Sequence, residues 1–124
     1  MKKIIFTLLF STLVFSSPSY ADWTKVGTNV DGDTYYIDFD RIRKHDGYVY
    51  YWELGDYPKP SKYGDLSAKV YSQGDCKLFR FKVLSASFYV NSMGTGTIST
   101  KEQGSVSWNY PLPNSASETT LNSV

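Results

Sequence analysis

The amino-acid sequence predicts a single domain of the α+β class, mainly antiparallel β-sheet with a short C-terminal helix. Apolar and polar residues alternate with a period of two along much of the chain, which is typical of half-buried strands. Turn sequences rich in glycine separate these segments, and a helix-capping sequence stands near the C-terminus. The chain has 124 residues, which is room for one domain, and its aromatic content of 17% argues against disorder.

The N-terminal segment has the features of a secretory signal peptide. Two lysines precede an apolar run over residues 4–15, and the small residues Ser19 and Ala21 stand where signal peptidase requires them. We therefore expect residues 1–21 to be a signal peptide and residues 22–124 to be the mature domain. The apolar run is shorter than the ~20 residues that span a bilayer, so the mature domain would have no stable membrane span. Export would place it in the periplasm or at the cell surface, where disulfides are permitted.

Three strands are predicted in the first half of the domain, over residues 23–26, 35–39 and 48–54. Turn chemistry separates them at residues 29–33 and 45–47. Asp40 would cap a single helical turn between the second and third strands. In the third strand we expect Tyr48 and Tyr50 to point inward, with their rings packed and their hydroxyl groups in water.

The clearest local prediction is a hairpin over residues 66–84. Gly74 is the first of two loop residues, Gly74-Asp75, in a sequence that suits a type II′ turn. Pairing about this turn makes one face apolar and places Lys69 directly opposite Arg80 on the other face. A slip by one residue would mix the two faces, so the pattern is expected to define the register.

The last third of the chain predicts shorter elements. A strand would continue from the hairpin, a short strand would follow, and the chain would pair once more, at residues 88–90, 97–100 and 106–110. A bend is expected at residues 85–87, and turns at residues 93–96 and 101–104. Ser115 followed by Glu118 is a capping-box signature, which predicts a helix close to the end of the chain.

Few residues point to catalysis or to metal binding. His45 is the only imidazole, it lies in a predicted turn, and no nucleophile-elbow sequence accompanies it. The acidic residues 29–33 with Asp40 match a calcium loop poorly, because Thr34 replaces the required glycine, and a solvated turn is favoured. Glu53 has no marked acidic partner and is expected to face a lysine or arginine across the sheet. We therefore predict no enzyme, cofactor or metal ion, and the near-neutral charge argues against nucleic-acid binding.

A basic and aromatic patch is the predicted binding surface. Like charges that face each other across strands destabilise a sheet, so Lys69 and Arg80 need either an acid such as Glu53 or an anionic partner. Such a patch suits acidic segments of glycoproteins or sulfated sugars, which bind by charge and stacking, while a solvated face is the alternative. A proline-rich loop adds further tyrosines. The candidate partner-binding residues are Tyr57, Lys59, Lys62, Tyr63, Lys69, Tyr71, Arg80 and Lys82.

Four sequence pieces together resemble the bacterial surface-adhesin protein E family. In order they are Trp23 with residues 35–38, residues 57–63, Ser67 to Cys76, and Phe88-Tyr89 before the turn at residues 93–96. The resemblance covers most of residues 23–124 and implies a single antiparallel sheet of about six strands with a C-terminal helix. It also implies a non-enzymatic surface adhesin that binds host matrix or plasma glycoproteins, such as laminin-, vitronectin- or plasminogen-like proteins.

One departure from the family pattern supports a second function. The namesake type is lipid-anchored, and no cysteine lies near the predicted cleavage site after Ala21 in this chain. The alternative is therefore a periplasmic structural or stress-related domain with no adhesive role. In either case the predicted sheet would present an exposed edge, which is compatible with a homodimer.

Cys76 is the only cysteine of the chain. An odd cysteine in an exported protein suggests an intermolecular bridge, a reactive thiol or an incomplete chain, and a buried unpaired cysteine is the alternative. The family resemblance implies a disulfide between the sheet and the end of the helix, so the partner of Cys76 would lie beyond Val124 and is absent from this chain. In the predicted register Cys76 shares a face with Arg80, on the side that the helix would cover.

Overall fold

The structure, a computed structural model, describes residues 22–124, and the predicted signal peptide lies outside the described residues. The elements are β1 (Trp23–Thr28), β2 (Thr34–Asp38), β3 (Arg43–His45), β4 (Tyr48–Asp56), β5 (Ser67–Asp75), β6 (Arg80–Tyr89), β7 (Ile98–Gln103) and α1 (Ala116–Ser123). One antiparallel sheet has the strand order β1-β2-β4-β5-β6-β7, and β3 also pairs with β4. The predicted α+β domain with one antiparallel sheet and a short C-terminal helix is confirmed. Within residues 22–124, no helix is long and apolar enough to cross a bilayer.

Helix α1 begins at the predicted capping sequence and covers one face of the sheet. The hydroxyl of Ser115 accepts a hydrogen bond from the backbone N–H of Glu118 at 3.2 Å, which satisfies one of the unpaired amides of the first turn. Leu121, only 2% exposed, extends from the helix toward Val49 and Tyr51, which are buried in the core. We call this side of the sheet the helix face and the opposite side the open face.

The hairpin between β5 and β6 has a different turn from the predicted one. Gly74 lies within β5, and residues 76–79 form the turn. Arg80 therefore pairs with Asp75 rather than with Lys69, which lies six residues earlier in β5. The predicted register is wrong, but a shift by an even number of residues keeps each side chain near the turn on its predicted face.

The packing around Gly74 explains why the turn lies after this residue and not at it. A Cβ atom at Gly74 would lie 2.8 Å from Cγ1 of Val49 and 3.0 Å from Cδ1 of Leu121, so the glycine permits a close approach within the sheet. Asp75 then stabilises the real turn, because its Oδ1 accepts a hydrogen bond from the N–H of Leu78 at 3.1 Å. The glycine therefore marks contact with the helix and not a reversal of the chain.

Two predictions in the first half of the domain are also corrected. Asp38, not Asp40, caps the one-turn 3₁₀ helix after β2, since its side chain accepts a hydrogen bond from the N–H of Asp40 at 3.2 Å. Tyr51 points into the core with 2% of its surface exposed, while Tyr48 and Tyr50 project from the other face. Both faces of β4 carry tyrosines, so the alternation alone did not show which face is covered.

The C-terminal strands also differ in detail from the prediction. Strand β6 passes through residues 85–87 without a break, and β7 includes most of the turn that was expected at residues 101–104. Residues 106–110 form no strand, but a single bridge joins Asn109 to Phe81. The longer pairing of β6 with β7 extends the sheet and brings additional side chains onto the open face.

Candidate binding surface

Three aromatic rings lie next to one another at the centre of the open face. Trp52 and Tyr71 are register partners in β4 and β5, and their ring centroids are 4.8 Å apart. Tyr50, two residues from Trp52, also stacks on Tyr71 with the centroids 6.4 Å apart. All three residues are half-buried, and α1 lies on the other side of the sheet. Rings held in this way offer a large apolar surface at a low cost in conformational entropy.

Basic side chains border these rings. The Nζ atom of Lys69 lies 5.0 Å from the ring centre of Tyr89. On the other side, the Arg80 guanidinium and the Lys82 ammonium lie 4.2 and 4.4 Å from the ring centre of Trp108. Cation–π attraction favours these positions. Lys69, Arg80 and Lys82 therefore share the open face as predicted, although Lys69 and Arg80 are not opposite each other.

Arg80 forms an ion pair with the carboxylate of Asp75. Its Nε donates a hydrogen bond to Oδ2 of the buried Asp75 at 2.9 Å. The N–H of Leu78 and, to a lesser extent, the Arg80 guanidinium hold the pKa of Asp75 below its usual range. The same contact with Asp75 raises the pKa of Arg80. Arg80 therefore has a structural role in the hairpin, and its charge is already neutralised.

The lysines of the open face have no such partner. Lys69 and Lys82 form no ion pair in the part of the chain that the structure describes. Glu53, which was expected to offset them, pairs in register with Val70 and lies on the helix face. Burial there raises the pKa of Glu53 to about 7, and the nearby Thr120 hydroxyl, itself buried without a well-formed hydrogen bond, opposes this shift only in part.

Lys101 is a further cation of the open face, and it was not among the residues predicted from the sequence. In β7, Lys101 pairs with Ser87, whose other register partner is Lys69 in β5. Two lysines therefore flank Ser87 on the same face of the sheet. The sequence pattern placed Lys101 in a turn, because its true position depends on how far β7 follows β6. Trp52 and Tyr50 were not among the predicted binding residues either, although their period-two spacing was a usable signal.

A 3₁₀ turn closes one end of the open face. This turn, Ser92–Gly94, lies in the region where a turn was predicted. The N–H of Met93 donates to Oδ1 of Asp56 at 2.7 Å, and the N–H of Gly94 donates to Oγ of Ser67 at 2.8 Å. These bonds satisfy polar groups at the ends of β4 and β5. The remaining open surface therefore lies between this turn and Trp108.

Two cavities on the open face meet at Ser87. One, of about 220 Å³, extends from Ser87 past Tyr89 to Trp23. The other, of about 960 Å³, is broad and follows β6 and β7. Ser87 is in the lining of both, and we call the two cavities together the open-face groove. The groove is lined by Trp52, Lys69, Lys82, Ser85, Ser87 and Lys101.

The candidate residues of the proline-rich loop do not lie with those of the hairpin. Tyr57, Lys62 and Tyr63 line a separate cavity of about 540 Å³ together with Phe88, on the side of the helix face. Burial raises the pKa of Tyr57 to about 12. Lys59 is exposed in the same loop. Tyr57, Lys62 and Tyr63 therefore lie apart from the four candidate residues of the hairpin, on the opposite face of the sheet.

Cys76 is exposed in the hairpin turn, which excludes a buried structural thiol. It lines a cavity of about 250 Å³ that also contacts Val49 and Val124. Cys76 therefore lies toward the end of α1, as expected, whereas Arg80 projects from the other face. The disulfide implied by the family resemblance stays a prediction.

The residues considered for catalysis or metal binding are engaged locally. The Nε2 atom of His45 lies 3.1 Å from the Asp46 carboxylate, and both side chains are exposed. In the acidic loop, Oδ1 of Asn29 accepts hydrogen bonds from the N–H groups of Asp31 and Asp33, at 3.0 and 2.9 Å. Among residues 22–124, no group of three or more histidine, cysteine or acidic side chains is placed to hold a metal ion.

Replacing Trp108 by alanine should destabilise the domain by about 1–2 kcal/mol. Trp108 stacks on Tyr48 with ring centroids 5.7 Å apart and also covers Arg80 and Lys82. Urea unfolding measures the loss, and Trp108→Phe, which keeps a ring at this position, should recover part of it. Equal losses in the two variants would contradict a contribution from ring stacking.

Comparisons with known proteins agree on the fold and the family. The crystal form II structure of Haemophilus influenzae protein E superposes with a TM-score of 0.62 at 17% identity, over 85% of this chain and 87% of that chain. A second structure of that protein gives 0.60 at 19% identity, covering 85% and 84%. A crystal structure of protein E from non-typeable Haemophilus influenzae gives 0.55 at 18% identity, covering 86% and 76%.

At this level of identity, the structural likeness establishes the fold alone. A search of curated protein sequences returns no match to the chain. The sequence profile of surface-adhesin protein E matches residues 23–124, which is nearly the whole of the part that the structure describes. The resemblance drawn from the sequence is confirmed, and the chain belongs to the surface-adhesin protein E family.

Proposed function

We propose that this domain is an exported, non-enzymatic adhesive module that binds extracellular glycoproteins through the open-face groove. Membership of the surface-adhesin protein E family supports binding to host extracellular proteins. The observation that carries the proposal is the groove itself. Its lining includes the half-buried ring of Trp52, which contacts Tyr71 on the same face, together with Lys69 and Lys82, which form no ion pair within the described residues. A partner with acidic groups and apolar surface would supply both missing contacts.

Electrostatics favours an anionic partner for this surface. Unpaired lysines on one face repel one another, and a bound anion converts that repulsion into attraction. The attraction extends to roughly 10 Å at ordinary salt concentrations, so it also accelerates association. Laminin, vitronectin and plasminogen are the ligands that the family resemblance implies, and they are the first to test.

The charge-reversal variant Lys69→Glu with Lys82→Glu should weaken binding to such a glycoprotein by about tenfold or more. Surface plasmon resonance with immobilised laminin, vitronectin and plasminogen measures the change in Kd. Arg80 is left intact, because its removal would strand the buried Asp75 and disturb the hairpin. The matched control is Lys44→Glu with Lys77→Glu, which makes the same change in net charge at exposed positions outside the groove.

Two outcomes would contradict the proposal. An equal loss in the control variant would show that only net charge matters, and no binding by the wild-type domain would remove the adhesive function. Protease treatment of intact cells separates the alternatives further. A domain that resists digestion until the outer membrane is opened would favour the periplasmic structural or stress-related function.

A further inference from the structure

We infer that the open-face groove is a site for a sulfated glycan chain that lies across strands β5, β6 and β7. This inference rests on the proposed function, because it names the chemical group of the partner that the groove contacts. It is carried by three observations, which are the positions of the lysines, the engagement of the arginines, and the absence of repelling acids within the described residues of this face.

The lysines come from three successive strands. Lys69 on β5 and Lys101 on β7 flank Ser87 on β6, and Lys82 lies further along β6. Neighbouring strands are about 4.8 Å apart, so Lys69 and Lys101 start about 10 Å from each other. A stiff polyanion that crosses the strands would meet one ammonium group after another. Short serine side chains at Ser85 and Ser87 leave space for it between the lysines.

The arginines of this face are already engaged. Arg80 binds Asp75, and Nε of Arg41 lies 3.3 Å from Asp38. Arg43 donates hydrogen bonds to two backbone carbonyl groups of its own loop, at 3.2 and 2.9 Å. Carboxylates are recognised most specifically by the two-pronged arginine fork, whereas lysine acts as a point charge. The cations left available therefore suit the spread charge of sulfate groups better than the carboxylates of a peptide.

The acids near the groove do not oppose a polyanion. Asp75 and Asp38 are buried and form ion pairs with arginines. Asp56 accepts a hydrogen bond from the N–H of Met93. Glu102, the one carboxylate in the lining of the larger cavity, pairs in register with the buried Ala86 and therefore projects to the helix face. Within residues 22–124, the groove floor thus carries positive charge without a compensating acid.

The use of a face instead of an edge also favours a glycan over an extended peptide. Extended peptides commonly bind by adding a strand to a sheet edge, where backbone groups are unpaired. In the groove floor, β5 and β6 are paired with strands on both sides, and β7, the edge strand, pairs with β6 on the side toward the groove. A ligand on the groove floor would therefore contact mainly side chains, namely ammonium groups, hydroxyl groups and the ring of Trp52. Sulfated sugars can use all three, by ion pairing, hydrogen bonding and stacking.

Heparin is the probe for the test, and fully desulfated heparin is its matched control. Isothermal titration calorimetry should show heparin binding, with the desulfated chain at least about tenfold weaker. Lys69→Gln with Lys101→Gln should weaken heparin binding by about tenfold. It should also lower the slope of log Kd against log salt concentration by about 2. Each lysine that binds the polyanion displaces about one counterion, so a variant without two lysines displaces about two fewer. Lys44→Gln with Lys77→Gln removes the same charge elsewhere and should change Kd less than about twofold.

Three results would overturn the inference. The first is that desulfated heparin binds as well as heparin, and the second is that the two lysine variants lose affinity equally. The third is that poly-L-glutamate displaces heparin at an equal concentration of charge, and this result would point to an acidic peptide as the ligand. The proposed function fails separately. Glycoprotein binding that needs Lys69 without any heparin binding would overturn only the glycan site. Heparin binding without glycoprotein binding would overturn only the adhesive function.

Discussion

Replacing Glu53 by glutamine should stabilise the domain at pH 8 and leave its stability at pH 5 nearly unchanged. Glu53 lies on the helix face, where burial raises its pKa from 4.5 to about 7. At pH 5 the carboxyl group in the folded domain is protonated, and glutamine resembles it in size and polarity. At pH 8 the wild-type domain must hold an ionised carboxylate under α1, whereas the variant holds a neutral amide.

The direction of the pH dependence follows from proton binding. Between pH 4.5 and 7 the folded domain keeps a proton on Glu53 that the unfolded chain has released, so wild-type stability falls as pH rises through this window. A shift of this size corresponds to about 3 kcal/mol of unfolding free energy. Urea unfolding at pH 5 and pH 8 measures it. Glu102→Gln changes an exposed carboxylate and should leave the wild-type pH dependence in place.

The outcome that would contradict this prediction is specific. If Glu53→Gln keeps the same difference in stability between pH 5 and pH 8 as the wild-type domain, Glu53 is not the group responsible. The tyrosines beside it do not confuse the test, because burial and the nearby Glu53 carboxylate raise the pKa values of Tyr35 and Tyr51 further above pH 8.

Leu121→Ala should reduce the unfolding free energy by about 3 kcal/mol, which is typical for truncating a buried leucine. Leu121 is 2% exposed, and its Cδ1 atom lies at the close approach between α1 and Gly74. Because Gly74 has no side chain, it cannot fill the space that the leucine leaves, and Val49 and Tyr51 are already packed in the core. The variant should therefore retain a cavity and loosen the helix. Urea unfolding and circular dichroism measure the two effects.

Asn122→Ala is the matched control for Leu121→Ala. Asn122 is the next residue in the same helix and is exposed, so its truncation should change stability by less than about 0.5 kcal/mol. A loss below about 1 kcal/mol for Leu121→Ala would mean that α1 contributes little to the packing of the helix face.

Local signals in the sequence were sufficient for much of the fold. Period-two alternation located the strands, and the Ser115 capping box located α1, because both depend on neighbouring residues only. Gly74 was misassigned because its reason for being glycine lies in Leu121, which is 47 residues away in the sequence. No local pattern distinguishes a glycine that turns the chain from one that admits a distant side chain.

The binding surface was predictable only in part, for a similar reason. Lys69, Tyr71, Arg80 and Lys82 were placed together correctly, since the true register differs from the predicted one by an even number of residues near the turn. The contribution of Lys101 depends on the pairing of β7 with β6, which alternation does not specify. The loop tyrosines were grouped with them by sequence proximity, but the sheet separates Tyr57 and Tyr63 from the groove.

The side chains of strand β4 alternate between the packed helix face and the open face, and this alternation affects how the domain can evolve. From Tyr48 to Glu53, the odd-numbered side chains lie on the helix face and the even-numbered ones lie on the open face. Under the proposed function, selection for folding acts mainly on the helix-face positions, and selection for a ligand acts on the open-face positions that alternate with them. On this proposal, a lineage can exchange its ligand by changing alternate positions while its core stays intact. Preserved folds at 17–19% identity, as with protein E, are the pattern that such independence allows.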